Sequence, residues 1–353
     1  MSLPDKMSGV VLTGHGGPEK LVWRDDLPVP QAKAGDVIVK VGAAGVNNTD
    51  INTRIGWYSK GDADAADASW AGIPIRFPLI QGIDVCGHIV AVGPGVSPTR
   101  IGERVLVEPC LTEVGGKRLD RPWFLGSECD GGFAQYTCVA ARHAYRIETQ
   151  LSDAELASFP CSYSTAENML TRTNLQAGET VLITGASGGV GSAAVQLARA
   201  RGAFVIAVTS PSMSQQLKDL GAARIIGRDE DYVAALGADS VDVVIDLVAG
   251  PGFPSLLAVL RPKGRYAVAG AVAGPEVMLD VRTLYLKDLS FFGCTALESA
   301  VFANLIGYIA RSEIKPLVAA TYPLGEIAKA QEMFQHKGYL GKIVLLVDRE
   351  PLA

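Results

Sequence analysis

The feature that most constrains this chain is the run Thr184-Gly185-Ala186-Ser187-Gly188-Gly189-Val190-Gly191. It lies between an apolar stretch with strand character, 180–184, and an amphipathic stretch with helical spacing, 190–201. Glycines let a backbone approach a pyrophosphate closely, and a helix that starts at such a turn presents unpaired N–H groups and partial positive charge. A glycine triplet alone says little, but the flanking strand and helix are the context that gives it meaning. The run predicts a dinucleotide-binding unit with Gly185, Ser187, Gly188, Gly189, Val190 and Gly191 around the phosphates.

Beyond the turn, strand-like runs at 204–209, 224–226, 241–248 and 265–269 follow, with helical spacing at 212–220 between the first two. Near-continuous apolar strands alternating with helices indicate a parallel sheet covered on both faces. The second strand ends in Val208-Thr209-Ser210-Pro211-Ser212, which holds no acid. An Asp or Glu there would accept the ribose 2′-hydroxyl and repel a 2′-phosphate. Hydroxyls remove that repulsion, so the stretch favours NADP(H), with Thr209, Ser210 and Ser212 as donors. Arg228, after the next strand, is a candidate cation for the phosphate, with a solvated surface arginine as the alternative. Asp246-Leu247-Val248 and Ala269-Gly270-Ala271 end further strands on the side that faces the ligand crevice, which adds Val248 and Gly270 to the cofactor contacts.

The first half reads differently. Short alternating runs at 36–41, 87–92, 104–108 and 134–139, punctuated by Gly and Pro, describe a compact β-rich unit. The pattern turns helical over 151–170, where Ser152-Asp153 supplies a capping start. A last strand at 341–347 has no helix after it and is expected to return to the first unit. At 353 residues the chain has room for two cores. The division expected is 1–151, completed by about 325–353, and 152–324. A net charge of -5 without any basic stripe argues against nucleic acid or an anionic membrane as partner. The apolar runs stop short of the ~18–20 residues that a membrane span needs, and the first residues lack the apolar core of a signal peptide. Six scattered cysteines, with no pair at CxxC spacing, fit a reduced cytoplasmic protein.

Six segments in order carry a resemblance: Ala44-Gly45-Val46-Asn47, Gly82-Ile83-Asp84, Gly102-Glu103-Arg104-Val105, Gly131-Gly132-Phe133-Ala134-Gln135-Tyr136, the glycine turn, and Gly341-Lys342-Ile343-Val344-Leu345. Together they resemble the medium-chain dehydrogenase/reductase superfamily, specifically its zinc-independent quinone oxidoreductase branch, over about residues 9–348. The resemblance implies an α/β protein: a GroES-like β-rich catalytic domain joined to a Rossmann domain with a doubly wound parallel sheet, and NADP(H) bound in the cleft between them. Zinc-dependent relatives carry a Cys after the Gly-Val pair and a His after the later Gly, where this chain has Asn47 and Ile83. Only Cys161 matches a third ligand position, and catalytic zinc needs three protein ligands, so no metal is expected. Cys110 and Cys129, in the region of the relatives' structural-zinc lobe, read as small buried hydrophobes. The resemblance also brings Thr165, Cys294 and Lys342 near the cofactor, although packing explains each about as well. It implies a homodimer formed through an edge strand at 289–293.

Hydride transfer asks the protein to place an electrophilic carbon against the nicotinamide and to stabilise the charge that develops. The segment 47–58 sits where the resemblance puts that site. Quinone oxidoreductases have an Asn at the position of Asn47 and commonly a Tyr where this chain has Asn52. The segment also resembles enoyl-thioester reductases, which share Asp50-Ile51-Asn52 and carry a proton-donating Tyr at the position of Tyr58. Tyr58 is the candidate proton donor, with a merely packed tyrosine as the alternative. Asp50 is a candidate for orienting neighbouring backbone. An Asp- and Ala-rich insertion, 59–72, is either a specificity loop or a neutral excursion. The expected reaction is NADPH-dependent hydride transfer to a small-molecule substrate, a quinone or another electron-poor, carbonyl-conjugated alkene. The rivals are a 2-enoyl thioester reductase, a zinc alcohol dehydrogenase, and an NADPH-binding protein without turnover.

Overall fold

A computed structural model describes residues 3–59, 69–70, 73–336 and 338–347. The 59–72 insertion therefore lies outside the described residues except for Ser59, Ser69 and Trp70. The chain forms two units, 1–161 with 316–338 and 342–353, and 162–315 with 339–341. The first boundary falls ten residues beyond the one read from sequence.

The first unit is built from β1 (Lys6–Leu12), β2 (Leu21–Pro28), β3 (Asp36–Gly45), the helix α1 (Asn48–Ile55), β4 (Leu79–Ile80), β5 (Asp84–Val92), β6 (Arg104–Val107), β7 (Cys110–Val114), β8 (Lys117–Phe124), β9 (Tyr136–Ala140) and β10 (Ala144–Arg146). β3 is its spine. Its apolar residues Val37, Val39, Val41 and Ala43 are fully buried, and it pairs antiparallel with both β5 and β9. The alternation read at 36–41 thus continues to Gly45, where the chain leaves the sheet for α1. Gly45 is obligatory: a Cβ there would stand 2.6 Å from Asp84 Oδ2 and 2.7 Å from the Ala157 carbonyl.

The helical stretch read over 151–170 is two helices, α2 (Asp153–Leu156) and α3 (Pro160–Arg172). Pro160 is the reason. Proline lacks an N–H and disfavours helical backbone at the residue before it, but suits the first turn of a new helix. Ser152 and Glu155 close a capping box at the start of α2.

The second unit follows the predicted alternation: β11 (Thr180–Ile183), α4 (Gly189–Ala200), β12 (Phe204–Thr209), α5 (Ser214–Leu220), β13 (Arg224–Gly227), α6 (Tyr232–Leu236), β14 (Val241–Asp246), α7 (Phe253–Val259), β15 (Leu260–Val268), α8 (Val281–Leu286), β16 (Ser290–Gly293) and α9 (Val301–Ala310). The sheet order is β13-β12-β11-β14-β15-β16, and each pairing is parallel. The order runs outward in both directions from β11, so the strand that feeds the glycine turn borders the topological switch point, where such sheets bind ligands. The strand read at 241–248 stops at Asp246, whose side chain bonds the turn that follows.

The chain then returns to the first unit. β17 (Val318–Pro323), α10 (Ile327–His336) and β18 (Lys342–Leu346) close it, with β18 antiparallel to β3 and parallel to β17. The sheet order becomes β10-β6-β5-β3-β18-β17, with β9 also on β3. This insertion of the C-terminal strand beside β3 brings Lys342 next to residues near 47 and 84.

Candidate active site

In the first unit, α1 begins with a reciprocal cap in which Asn47 and Asp50 each bind the other's backbone. Asp50 Oδ2 accepts the Asn47 N–H at 2.7 Å. The Asn47 amide donates to Asp84 Oδ2 at 2.7 Å and to the Gly45 carbonyl at 3.3 Å, and its Oδ1 accepts from the Lys342 ammonium. Lys342 Nζ lies 2.9 Å from Asp84 Oδ2, and Asp84 Oδ1 accepts the Cys161 N–H at 2.5 Å. Asp84, Asp50, Asn47 and Lys342 are all buried. Both amide protons of Asn47 are therefore committed internally, and Asn47 acts here as a brace for the start of α1. Asp50 is likewise a cap, and burial pushes its carboxyl up to about 7, with the Asp84 charge adding to the rise and the Asn47 N–H bond and Lys342 opposing it. Lys342, expected beside the cofactor, has its ammonium in this interior cluster.

The far end of α1 holds a surface with different chemistry. Gly56 caps the helix in left-handed backbone, φ 73°, and turns the chain so that Trp57 and Tyr58 follow. The Tyr58 hydroxyl donates to Thr49 Oγ1 at 3.1 Å and is also bonded to the Asn52 side chain. Burial raises its phenol above the ordinary range, so it is a neutral O–H at physiological pH. Trp57 stands edge-on to Tyr58, with centroids 5.3 Å apart. Trp70 lies parallel to the Tyr58 ring, 6.4 Å away and 7° from coplanar, and Phe124 stacks on Trp70 at 4.4 Å. Thr49, Trp57, Trp70 and Phe124 were not singled out in the sequence. The Trp57-Tyr58 pair was the available signal, while Phe124 is brought in only by the fold.

In the second unit the glycine turn has the form its sequence predicts. Gly185 has φ 57°, and a Cβ on Gly191 would stand 2.3 Å from the Gly185 carbonyl. Gly188 is the N-cap of α4 and has no side chain to satisfy the helix, so the first-turn N–H groups remain for an anion. These residues fit a dinucleotide pyrophosphate. The parallel sheet brings the ends of β12, β14, β15 and β16 to one edge, and with them Thr209, Val248, Gly270 and Cys294. The Ser210 and Ser212 hydroxyls share a 3.0 Å hydrogen bond at the surface. Arg228 is exposed, and its backbone N–H donates to the Thr209 carbonyl at 3.2 Å. The Thr209 hydroxyl itself is covered, with no hydrogen-bond partner, so Ser210 and Ser212 carry the outward donors. Thr165 is half-buried in α3. Cys294 is buried, which raises its thiol.

Sequence reading undervalued one polar hub of this unit. Asp246, fully buried, accepts from Thr184 Oγ1 at 2.5 Å, from the Val248 and Ala249 N–H groups at 2.9 and 3.1 Å, and from the Tyr266 hydroxyl at 2.6 Å. It ties the glycine-turn strand to the turn after β14, where Ala249 takes φ 54°. That conformation is strained for a residue with a Cβ, and it is held by the carboxylate.

Comparison with known proteins agrees with both halves. Residues 33–149 match the alcohol dehydrogenase GroES-like domain, and residues 189–311 match the zinc-binding dehydrogenase family. A human quinone oxidoreductase is 30% identical, over 97% of this chain and 98% of its own length. The chain belongs to the medium-chain dehydrogenase/reductase superfamily, in its quinone oxidoreductase-like branch. This oxidoreductase is also 32% identical to an acryloyl-coenzyme A reductase of Metallosphaera sedula, over 96% of this chain and 99% of that one. Among solved structures, a Sinorhizobium meliloti 1021 protein provisionally described as an alcohol dehydrogenase is 47% identical, covers 98% of both chains and has a TM-score of 0.89.

Proposed function

We propose that this oxidoreductase reduces a quinone or another electron-poor, carbonyl-conjugated alkene with NADPH, without a catalytic metal. The observation that carries the reading is the Tyr58 hydroxyl, neutral and bonded to Thr49 and Asn52, with Trp57 edge-on to its ring and the flat face of Trp70 parallel to it. Aromatic faces suit a planar conjugated ring, and a neutral phenol can hydrogen-bond to, then protonate, an oxygen or carbon that gains negative charge. Bound NADPH would supply the hydride equivalent. Gly185, Ser187, Gly188, Gly189, Val190 and Gly191 would hold its pyrophosphate, with Thr165, Val248, Gly270 and Cys294 as further contacts. Ser210, Ser212 and Arg228 would take the 2′-phosphate beside Thr209. The metal-free part rests on the residues themselves: Asn47 is fully bonded to Asp84, Gly45 and Lys342, and Ile83 offers no ligand atom.

The test is NADPH consumption against a small quinone in the presence of a metal chelator, with NADH alongside. Chelator-resistant turnover that prefers NADPH, and that falls in Tyr58→Phe, supports the reading. No turnover with either cofactor refutes it. A second reading, reduction of a 2-enoyl thioester, draws on the acryloyl-coenzyme A reductase match. Strict preference for acyl thioesters over free enones would select it.

A cytoplasmic homodimer completes the proposal. None of the six cysteines is joined in a disulfide, and no described helix is long and apolar enough to cross a membrane. β16 is the edge of the six-stranded sheet; Phe291 is exposed on it, and Met278, Val281, Tyr285 and Leu286 are exposed on the segment that leads into it. Leu286→Glu should convert a dimer to monomer in light scattering; an unchanged mass would remove this surface from consideration.

A further inference from the structure

The hairpin of β7 and β8 is a two-stranded sheet of its own, paired Cys110 with Phe124 and Leu111 with Trp123 before its register shifts across Thr112. That irregularity frees the Thr112 N–H from the ladder, and it donates instead to His143 Nε2 at 3.1 Å, joined by the Glu113 N–H at 3.3 Å. Two donors aimed at Nε2 make it the bare nitrogen, so the ring proton is on Nδ1 and is donated to Glu108 Oε2 at 2.7 Å. His143 is 1% exposed and Glu108 9%. A buried imidazole with one tautomer and three partners thus ties β7, from the preceding Glu108 to Glu113, to the rest of the unit.

The hairpin in turn carries the aromatic surface. Phe124, the last residue of β8, stacks on Trp70. In the turn that follows, Ser127 Oγ accepts the Trp70 backbone N–H at 3.1 Å, while Glu128 accepts the Phe124 backbone N–H at 2.6 Å and the Ser127 hydroxyl at 3.1 Å. Trp70 lies parallel to Tyr58. We infer that Trp70 is a specificity-determining residue and that His143, with Glu108, is its positioning residue, setting the ring against which a flat substrate packs beside Tyr58. The inference rests on the reading of Tyr58 given above.

The test compares His143→Leu, His143→Gln, Trp70→Leu and the double variant His143→Leu/Trp70→Leu, with quinone KM, NADPH KM, kcat and near-ultraviolet circular dichroism as readouts. Displacing Trp70 should raise quinone KM about tenfold in His143→Leu, because small misplacements at a binding surface are amplified, while NADPH KM stays within about twofold. The aromatic dichroism of the Trp70–Phe124 stack should diminish in parallel. His143→Gln keeps a carbonyl acceptor for the two N–H groups and an amide donor for Glu108, and should recover both signals. The double variant should be no worse than Trp70→Leu, since both act through the same ring. A His143→Leu protein with lowered thermal stability but wild-type quinone KM and wild-type dichroism overturns the inference. If the wild-type protein reduces no quinone, the function proposal fails on its own. The dichroism of His143→Leu and His143→Gln then decides the positioning claim separately.

Discussion

Replacing Lys342 by Met separates a structural ion pair from a cofactor contact. The ammonium lies 2.9 Å from a fully buried carboxylate, where Coulomb attraction at an effective dielectric of ~20 amounts to about 6 kcal/mol. Desolvation offsets much of that in the intact pair, but removing one partner leaves Asp84 charged and uncompensated, which costs about 3–5 kcal/mol. For a unit of this size that corresponds to a melting temperature lower by about 6–20 °C. The assay is thermal and urea unfolding of Lys342→Met, Asp84→Asn and the double variant. The double variant should lose less than the sum of the singles, because the second change removes the charge that the first left stranded. NADPH affinity measured on folded Lys342→Met should stay near wild type. Additive losses, or a Lys342→Met loss below about 1 kcal/mol, would refute the reasoning, and a selective loss of NADPH affinity would return Lys342 to the cofactor.

Asp50 gives a pH signature. Its carboxyl, raised to about 7, stays protonated in the fold through a range where the unfolded chain ionises. Stability therefore falls as pH rises from about 4 to 7, by roughly 4 kcal/mol at 1.36 kcal/mol per unit. Asp50→Asn, whose carbonyl can still accept the Asn47 N–H, should lack that decline in melting temperature over pH 5–8, and parallel curves would refute it. Thr184→Val removes the 2.5 Å donor to buried Asp246 and the acceptor for the Leu247 N–H. It should cost about 1–3 kcal/mol and raise NADPH KM, because the turn that holds Ala249 at positive φ loosens. Unfolding in urea and steady-state kinetics check the two effects. Gly191→Ala places a Cβ 2.3 Å from the Gly185 carbonyl, so calorimetric titration should show NADPH affinity reduced at least about tenfold, with substrate KM little changed.

Local pattern and short motifs were enough for the second unit. Period and composition specify a buried parallel strand or an amphipathic helix within a dozen residues, and the glycine turn needs only its own backbone and the helix it starts. The break at Pro160, the stop of β14 at Asp246 and the continuation of β3 to Gly45 moved boundaries without changing the architecture, because element ends depend on single capping and sheet-edge contacts. The chemistry of the first unit was another matter. Asn47, Asp50 and Tyr58 stood out in the sequence, and Asp50 and Tyr58 bond within their own segment, but the surroundings of Asn47 are set by residues distant along the chain. Lys342, 295 positions from Asn47, reaches it because β18 inserts beside β3, and it turns a candidate catalytic amide into a brace. Phe124 reaches the neighbourhood of Tyr58, by way of Trp70, at the end of a hairpin that His143 ties down and whose docking no local pattern encodes. Sequence determined the elements and the cofactor turn, since both are set by interactions a few residues long. The tertiary structure decided which polar groups are spent on one another, because contacts such as those of Lys342 with Asp84 and Asn47 join residues far apart along the chain.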